Sequence, residues 1–516
     1  MMIFKKRFIS ILFLFVFSSV QISAQKNALE ISTPEAEGVS SNGILKFLDA
    51  AAKSKTEFHS FIMLRHGKVI AQGWWKPYAA DLKHTMYSCS KSFTATAIGF
   101  LVSEHRISVN DKVISFFPDE LPDTVSAYLS ELKVKDVLSM SDGQEPDPTF
   151  AVVSNDSNWV RSFLALPIKY KPGTKFLYNT LGTYMLSAIV QKVTGEKLID
   201  YLKPRLFDPL GITGMDWEVD PRGINVGGWG LRIKTEDMAK FAQLFLQKGK
   251  WNGKQILPAS WIEEASTLKI VQHPEYSQVK RDSSDWEQGY CYQMWRCRHN
   301  AYRGDGAYGQ FMIVMPEKDA VVAITAETPN MQEEINLVWD NILPAIHEGK
   351  LPASENTKKL HEKLSSLALA VPVKTISPLE AKISGKTFAL EPNENHIQNL
   401  TFNFHDGRCD VEMKTDTANY RLAFGSGKWI QDETTKRGPS LVGRAKASFV
   451  GLPPLKIDGA YSWPDENTLE LTLRYIESPH TEKFTCHFND NNISVDVANS
   501  FDYGSRKLTV KGKLKE

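Results

Sequence analysis

The spacing of hydrophobic positions changes along the chain, and its first clear pattern follows Ser88. Apolar side chains recur at three- to four-residue spacing at Phe93, Ala97, Phe100 and Leu101. This spacing predicts a helix with a buried face. If that helix begins near Ser88, the Ser88 hydroxyl lies at the positive end of the helix dipole. The Ser88 N–H is then one of the unpaired donors of the first helical turn.

Strand-like runs stand on both sides of a mostly helical middle region. Their approximate ranges are 59–64, 68–75, 290–296, 310–315 and 320–325. Amphipathic helical runs near 40–54 and 331–347 enclose the whole region. This order predicts the α+β class, with one antiparallel sheet, flanking helices and a helical subdomain that forms the other wall of a cleft.

A period of two replaces the helical spacing in the last part of the chain. Hydrophobic side chains alternate at Leu400, Phe402 and Phe404 up to a turn at Asp406–Gly407. The alternation predicts a separate, antiparallel all-β domain. We therefore expect a first folded domain over 25–352, a linker over 353–377 and an all-β accessory domain over 378–516.

The N-terminus has the features of a secretory signal peptide. A basic cluster at Lys5–Arg7 precedes an apolar run that ends at the small residues Ser23 and Ala24. We predict a signal peptide over 1–24, export, and a periplasmic or extracellular location for the mature protein. The apolar run is too short for a stable anchor, and no later stretch approaches the length of a membrane span.

Charge and composition narrow the choice of partners. The 516 residues include 61 Lys and Arg against 60 Asp and Glu, and these charges are interspersed. This balance argues against a nucleic-acid partner. The five cysteines are too few for a disulfide scaffold in so long a chain. No metal-ligand spacing, phosphate loop or Gly-x-Ser-x-Gly elbow occurs, so we expect no metal and no organic cofactor.

The candidate chemistry begins with Ser88 and Lys91, which project from one face of the predicted helix. A serine needs a base to act as a nucleophile, and a partly desolvated lysine can serve as one. The pattern Ser-x-x-Lys also occurs elsewhere, but only at Ser88 does it open a long apolar helix. The alternative is a core helix for which Ser88 is only the N-cap.

Two further stretches could complete a site. Tyr178 follows a Pro-Gly turn and stands just before an amphipathic helix, where its phenol could enter the cleft. An aromatic side chain packed under a turn is the alternative. Three glycines fall within residues 304–309, between two strands, which favours a close approach of the backbone to another group. An ordinary hairpin turn would also contain such glycines.

In this order the parts resemble the serine β-lactamase and penicillin-binding-protein superfamily, in its class C β-lactamase-like and esterase branch. The stretch Ser88–Lys91 looks like the Ser-x-x-Lys motif. The tripeptide 178–180 occupies the place of Tyr-x-Asn, and 304–306 that of Lys-Thr-Gly or His-x-Gly. The resemblance implies an acyl-enzyme hydrolase that acts on a small-molecule or short peptide-like substrate.

The resemblance also implies a role for each residue. Ser88 would be the nucleophile, and Lys91 or Tyr178 would be the base, an alternative that the sequence leaves open. The N–H groups of Ser88 and Ala307 would form the oxyanion hole. The substrate-binding residues would be Thr180, Gly304, Asp305 and Gly306.

Two departures from the motifs bear on the substrate. Thr180 replaces the usual Asn, and Gly304 replaces the cation that helps β-lactam and D-Ala-D-Ala enzymes hold a substrate carboxylate. The loss of that cation favours an esterase or amidase, similar to 6-aminohexanoate-dimer-hydrolase-like relatives. Two other hypotheses stay open: a non-catalytic or slowly acylated sensor for β-lactams or peptides, and a carbohydrate-binding envelope protein that uses the β domain.

Overall fold

The computed structural model describes residues 28–515 of the chain. The signal peptide predicted over 1–24 lies outside the described residues. Between residues 28 and 515, no helix is long and apolar enough to cross a membrane.

Six antiparallel strands form the central sheet of the first domain. They are β1 (Glu57–Arg65), β2 (Lys68–Trp74), β3 (Trp295–Arg296), β4 (Tyr302–Gly306), β5 (Gln310–Met315) and β6 (Ala320–Glu327). Their order across the sheet is β2-β1-β6-β5-β4-β3. Every residue of β6 is buried. A strand covered on both faces can be apolar at successive positions, which is why β6 does not alternate.

Helices cover both faces of this sheet. The main helices of the first domain are α1 (Ser41–Ala51), α2 (Ser90–Ser103), α3 (Thr180–Thr194), α4 (Thr235–Leu246), α5 (Met331–Leu337) and α6 (Glu355–Ser365). On one face, α1 and α5 pack through Phe47 and Ile335. On the other face, α4 packs through Met238 and Phe241. The predicted α+β class with flanking helices is therefore confirmed.

The chain between β2 and β3 forms the predicted helical subdomain, with α2 and α3 at its centre. Residues Ser90 to Leu101 of α2 are all buried, so its apolar residues pack on every side. The same part of the chain contains shorter helices: Ala127–Glu131, Val134–Leu138, Thr149–Asn155, Trp159–Ala165, Leu198–Leu202, Ala259–Ser266 and Gln278–Asp282. A small sheet of His84–Thr85, Leu231–Ile233 and Asp216–Trp217 leads into the Ser88 turn.

The strand predicted over 290–296 is wrong for most of its length, because only β3 pairs with β4. The Cys291 N–H donates to the Met294 carbonyl at 2.8 Å, and Gln293 has a φ of +58°. The chain therefore turns back on itself. The turn directs the Gln293 amide inwards, where it makes buried hydrogen bonds of 2.7 to 3.1 Å. These bonds outweigh the strand preference of the local sequence.

The segment predicted as a linker packs against the first domain. In α6, the Thr357 hydroxyl donates to Glu35 at 2.8 Å, and Lys363 pairs with Asp49 of α1. Leu360 of the same helix is buried. The chain then continues through the short helix Leu379–Ile383 to the second domain.

The second domain is a β-barrel. Its strands are β7 (Lys386–Leu390), β8 (Ile397–His405), β9 (Arg408–Thr415), β10 (Asn419–Ser426), β11 (Ile430–Thr434), β12 (Leu455–Asp465), β13 (Thr468–Tyr475), β14 (Thr481–Asn489), β15 (Asn492–Asn499) and β16 (Leu508–Leu514). Nine strands close into a ring where Gly425 of β10 pairs with Ala460 of β12, and β11 pairs outside the ring. A Cβ on Gly459 would lie 2.0 Å from the Ala423 carbonyl oxygen, so glycine permits the closure. The predicted all-β domain is confirmed.

The barrel packs against the first domain at β1 and β6. Arg474 of β13 donates to Glu57 at 3.2 Å, and Glu57 contacts His59 at 3.2 Å. His59 Nδ1 in turn lies 3.2 Å from His84 Nε2. Both rings are buried, and burial lowers the pKa of His59 and of His84. We refer to His59 and His84 as the buried histidine pair.

Candidate active site

Ser88 lies in a single turn that joins the small sheet to α2. This 3-10 turn spans Tyr87–Cys89, and α2 itself begins at Ser90. Tyr87 and Cys89 are buried, whereas Ser88 is half-buried. The Cys89 thiol donates to the Gln310 carbonyl of β5 at 3.2 Å. The turn is thus attached to β5 of the sheet, and of its three residues only Ser88 keeps partial access to solvent.

Lys91 is buried, and its amino group has three oxygen neighbours. Its Nζ lies 3.2 Å from Ser88 Oγ, 3.2 Å from Thr180 Oγ1 and 2.6 Å from the Gly228 carbonyl oxygen. Burial lowers the pKa of Lys91 to about 7. A neutral amine can donate to two of these oxygens and accept from the third, a serine O–H. Lys91 is therefore suited to take the Ser88 proton near neutral pH.

Tyr178 borders the same cleft. Its ring centre lies 5.2 Å from Lys91 Nζ, and the ring stacks on Trp295 with a centroid distance of 5.7 Å. Removal of the phenol from water, together with the charge of Asp305, raises the pKa of Tyr178. The phenol therefore stays protonated near neutral pH and is suited to donate a proton rather than to abstract one.

The two residues after Tyr178 begin α3 and fix its direction. Asn179 is the N-cap, because its Oδ1 accepts from the Gly182 N–H at 3.1 Å. The Asn179 amide also donates to Gln144 at 3.0 Å. The Thr180 hydroxyl contacts the amino group of Lys91. Thr180, predicted to bind substrate, thus lies against the lysine.

The end of β4 reaches the Ser88 turn because Gly306 has no side chain. A Cβ on Gly306 would lie 2.2 Å from the Met86 carbonyl oxygen. This close contact places Ala307, the residue after Gly306, beside the turn that contains Ser88. Within residues 28–515, neither the Ser88 N–H nor the Ala307 N–H donates to a backbone carbonyl of a loop or turn. Both groups are therefore available for an oxyanion.

The other two residues of this motif face opposite sides of β4. A Cβ on Gly304 would lie 2.6 Å from Met312 Cε and 2.9 Å from Ser92 Oγ, so a side chain at this position would have to displace Met312 or Ser92. The Asp305 carboxylate lies 2.8 Å from Arg303 Nη2, and both side chains are buried. Arg303 therefore offsets the negative charge that Asp305 brings to the site.

The fold and the order of these residues match a known family. The family model Beta-lactamase matches residues 57–345, which is more than half of the chain. The chain belongs to the β-lactamase family. Its first domain is a serine hydrolase domain of the β-lactamase type, and the barrel lies beyond the matched residues.

The relatives of this β-lactamase family member include hydrolases. The 6-aminohexanoate-dimer hydrolase of Paenarthrobacter ureafaciens is 27% identical over 290 residues, which are 52% of this chain and 73% of that protein. A candidate D-alanyl-D-alanine carboxypeptidase of Escherichia coli (strain K12) is 28% identical over 144 residues, which are 25% of this chain and 33% of that protein. The solved structure of a candidate 6-aminohexanoate-dimer hydrolase from Bacillus anthracis shares the fold with a TM-score of 0.52 and 22% identity, and the match covers 63% of this chain and 89% of that one.

The sequence did not single out two residues that act on Lys91, namely Gly228 and Asp147. Gly228 offers its carbonyl oxygen to the lysine, and a Cβ there would lie 2.7 Å from Thr180 Cγ2. The cluster Gly227-Gly228-Trp229-Gly230 was a signal that could have revealed this close approach. The charge of Asp147 acts on Lys91, and no sequence pattern singles it out. In the described part of the chain, no group of three or more His, Cys, Asp or Glu could hold a metal ion.

Proposed function

We propose that this chain is an exported serine hydrolase that cleaves an ester or amide bond through an acyl-enzyme on Ser88. The observation that carries the proposal is the position of the Lys91 amine, 3.2 Å from Ser88 Oγ, together with its pKa of about 7. A lysine with the ordinary pKa of 10.5 would be charged near neutral pH and could not act as a base.

In the acylation step, neutral Lys91 accepts the Ser88 proton while Ser88 Oγ attacks the substrate carbonyl carbon. The negative charge that develops on the carbonyl oxygen is stabilised by the N–H groups of Ser88 and Ala307. These donors belong to a rigid turn and a strand end, so they need no reorganisation when the charge appears. We assign the role of base to Lys91 rather than to Tyr178, because the raised pKa of the phenol disfavours the phenolate.

The leaving group departs when the tetrahedral intermediate collapses. Tyr178 donates its phenolic proton to the leaving oxygen or nitrogen and regains one from the Lys91 ammonium nearby. Water then attacks the acyl carbon while Lys91 accepts its proton. The bond from Ser88 Oγ to the acyl carbon breaks as the Lys91 ammonium returns that proton to Ser88 Oγ, and the acid leaves. Proton transfers are thus confined to three side chains.

The substrate is a short-chain ester or a neutral amide. Gly304 supplies no cation to hold a substrate carboxylate, and Thr180, Asp305 and Gly306 complete this side of the cleft. A carboxylate there loses a charge-assisted hydrogen bond of about 1.5–3 kcal/mol. The relative named 6-aminohexanoate-dimer hydrolase supports the amide alternative. The relative named as a candidate D-alanyl-D-alanine carboxypeptidase supports the competing substrate class, D-Ala-D-Ala peptides.

The test of the nucleophile is Ser88→Ala. Hydrolysis of a p-nitrophenyl ester should fall by orders of magnitude because the covalent route is lost. The unfolding free energy should change by at most about 1–2 kcal/mol, since one oxygen at a helix start is removed. The matched control is Ser90→Ala, two residues further on at the first position of α2. Wild-type turnover in well-folded Ser88→Ala would refute the assignment.

The substrate class is tested on the purified protein with three compounds in parallel. They are a p-nitrophenyl acyl ester, a neutral p-nitroanilide of the same acyl group and a chromogenic cephalosporin. We expect kcat/KM to be highest for the ester or the amide. Faster turnover of the cephalosporin would contradict the substrate class and leave Ser88 in place. Stoichiometric labelling of Ser88 without turnover of any compound would favour the sensor hypothesis.

Export is tested separately from catalysis. We expect the mature protein from a secreting bacterial host to begin at Gln25, after cleavage of residues 1–24. N-terminal sequencing of the periplasmic and cytoplasmic fractions measures this directly. An uncleaved chain that stays in the cytoplasm would contradict the signal peptide.

Binding of the whole protein to insoluble polysaccharide would support the alternative hypothesis, that the chain is a carbohydrate-binding envelope protein that uses the barrel.

A further inference from the structure

Each of the two proposed oxyanion donors has a tyrosine neighbour with an unusual backbone. Tyr87, just before Ser88, has a φ of +44°, and Tyr308, just after Ala307, has a φ of +68°. Residues other than glycine rarely adopt this left-handed region, and they keep it only where the surroundings impose it. What fixes Tyr87 therefore also fixes the direction of the Ser88 N–H, which belongs to the next peptide plane, and what fixes Tyr308 restrains the adjoining residue Ala307.

Tyr87 is fixed by the barrel. Its hydroxyl lies 2.5 Å from His480 Nε2, and the His480 Nδ1 lies 2.7 Å from Glu327 Oε1. The Leu441 N–H of the barrel donates to the same hydroxyl at 3.4 Å. One placement of the proton on the His480 ring satisfies every group: the Nδ1–H donates to the Glu327 carboxylate, and Nε2 accepts from the Tyr87 O–H. His480 is completely buried, so water does not compete for these bonds.

Tyr308 is fixed by the same histidine. The Tyr308 and His480 rings meet edge-on with a centroid distance of 4.9 Å. Phe501, also from the second domain, lies 4.8 Å from the His480 ring and 5.7 Å from the Tyr308 ring. The Tyr87 and Tyr308 rings are themselves 5.7 Å apart. One buried side chain of the barrel thus contacts the neighbours of both oxyanion donors.

We infer that His480 is a positioning residue for the reaction, and that the barrel is a structural part of the active site rather than an independent accessory. This inference rests on the proposed role of Ser88. His480 touches neither the nucleophile nor the substrate. It acts through Tyr87 and Tyr308, by holding the two N–H groups in the direction that a developing oxyanion requires.

The test compares two phenols that bridge the same domain interface. Tyr87→Phe removes the hydroxyl that contacts His480. Tyr78→Phe removes a hydroxyl that donates to the Ser478 carbonyl of the second domain at 2.9 Å, away from Ser88. We expect Tyr87→Phe to lower kcat for the p-nitrophenyl ester about ten- to hundredfold, with KM changed less than about twofold. Tyr78→Phe should keep the wild-type kcat, and the two unfolding midpoints should be similar.

Two substitutions of His480 separate positioning from packing. A glutamine places its amide where His480 Nε2 lies, so it keeps the hydrogen bond to the Tyr87 hydroxyl. An asparagine places its amide near Nδ1, so it keeps only the hydrogen bond to Glu327. We expect His480→Gln to retain most of kcat and His480→Asn to lose it as Tyr87→Phe does. The rate of Ser88 modification by a fluorophosphonate, a probe that forms the same oxyanion geometry, should follow the same order.

The outcomes distinguish this inference from the proposed function. Wild-type kcat in Tyr87→Phe, with Ser88→Ala inactive, would overturn the positioning role and leave the nucleophile in place. Equal losses in Tyr87→Phe and Tyr78→Phe would assign the effect to interface stability and also overturn it. Full activity of Ser88→Ala would remove the proposed function itself.

Discussion

We expect the buried Lys91 amine to set the acidic limb of the pH–rate profile. Burial lowers its pKa from 10.5 to about 7, which corresponds to about 5 kcal/mol against the charged form. The neutral fraction then increases from about one-tenth at pH 6 to about nine-tenths at pH 8. For a p-nitrophenyl ester, kcat/KM should therefore increase about tenfold over this interval and then level off.

A different base would give a different profile. With a lysine of ordinary pKa, or with the Tyr178 phenol whose pKa burial raises, kcat/KM would increase about a hundredfold from pH 6 to pH 8. It would also continue to increase above pH 9. Such a profile would refute the reasoning, since kcat/KM reports the ionisation of the free enzyme.

Three variants connect this profile to named residues. Lys91→Arg should lower kcat/KM about 10²- to 10⁴-fold, because arginine does not release its proton. Asp147→Asn should shift the acidic limb to lower pH, because the Asp147 charge stabilises the Lys91 ammonium. The asparagine can still accept the hydrogen bond that the Thr149 N–H donates to Asp147 Oδ1 at 2.9 Å in the wild-type chain. The control is Lys240→Arg, at a buried lysine of α4 that pairs with Glu236 at 2.9 Å. It should leave the profile unchanged.

Three further predictions concern stability. Gly306→Ala should cost about 1–3 kcal/mol in urea unfolding and lower kcat, because its Cβ would press on the Met86 carbonyl; unchanged values would contradict the close approach. Asp305→Asn should cost about 3–5 kcal/mol, because Arg303 is left buried without its anion; a thermal-denaturation shift of less than a degree would count against it. Both histidines of the buried histidine pair have a lowered pKa, so the unfolded state binds protons before the folded state does as the pH falls below about 6.5. The free energy of unfolding should then fall by up to about 1.4 kcal/mol per histidine per pH unit. Equal urea midpoints at about pH 7.5 and about pH 5.5 would exclude this effect.

The sequence by itself determined the elements whose burial is local and regular. The apolar spacing after Ser88 predicted α2, and the alternation around residues 400–404 predicted strands of the second domain, because each pattern matches the geometry of one element. The order of strands and helices was enough for the α+β class. Local patterns made Ser88, Lys91 and Tyr178 candidates and the resemblance implied their roles, and the structure brings these three side chains to one cleft.

Only the tertiary structure decided the features that depend on groups distant in the chain. The pKa of Lys91 depends on how deeply the fold buries its amino group, so the sequence left the choice between Lys91 and Tyr178 as base open. The turn at Gln293, whose amide bonds to Thr183 and Leu138, and the closure of the barrel were hidden for the same reason. His480 lies 393 residues from Tyr87, and no local pattern reports such a contact. Periodicity records which face of an element is buried, whereas desolvation and hydrogen bonding depend on what buries it.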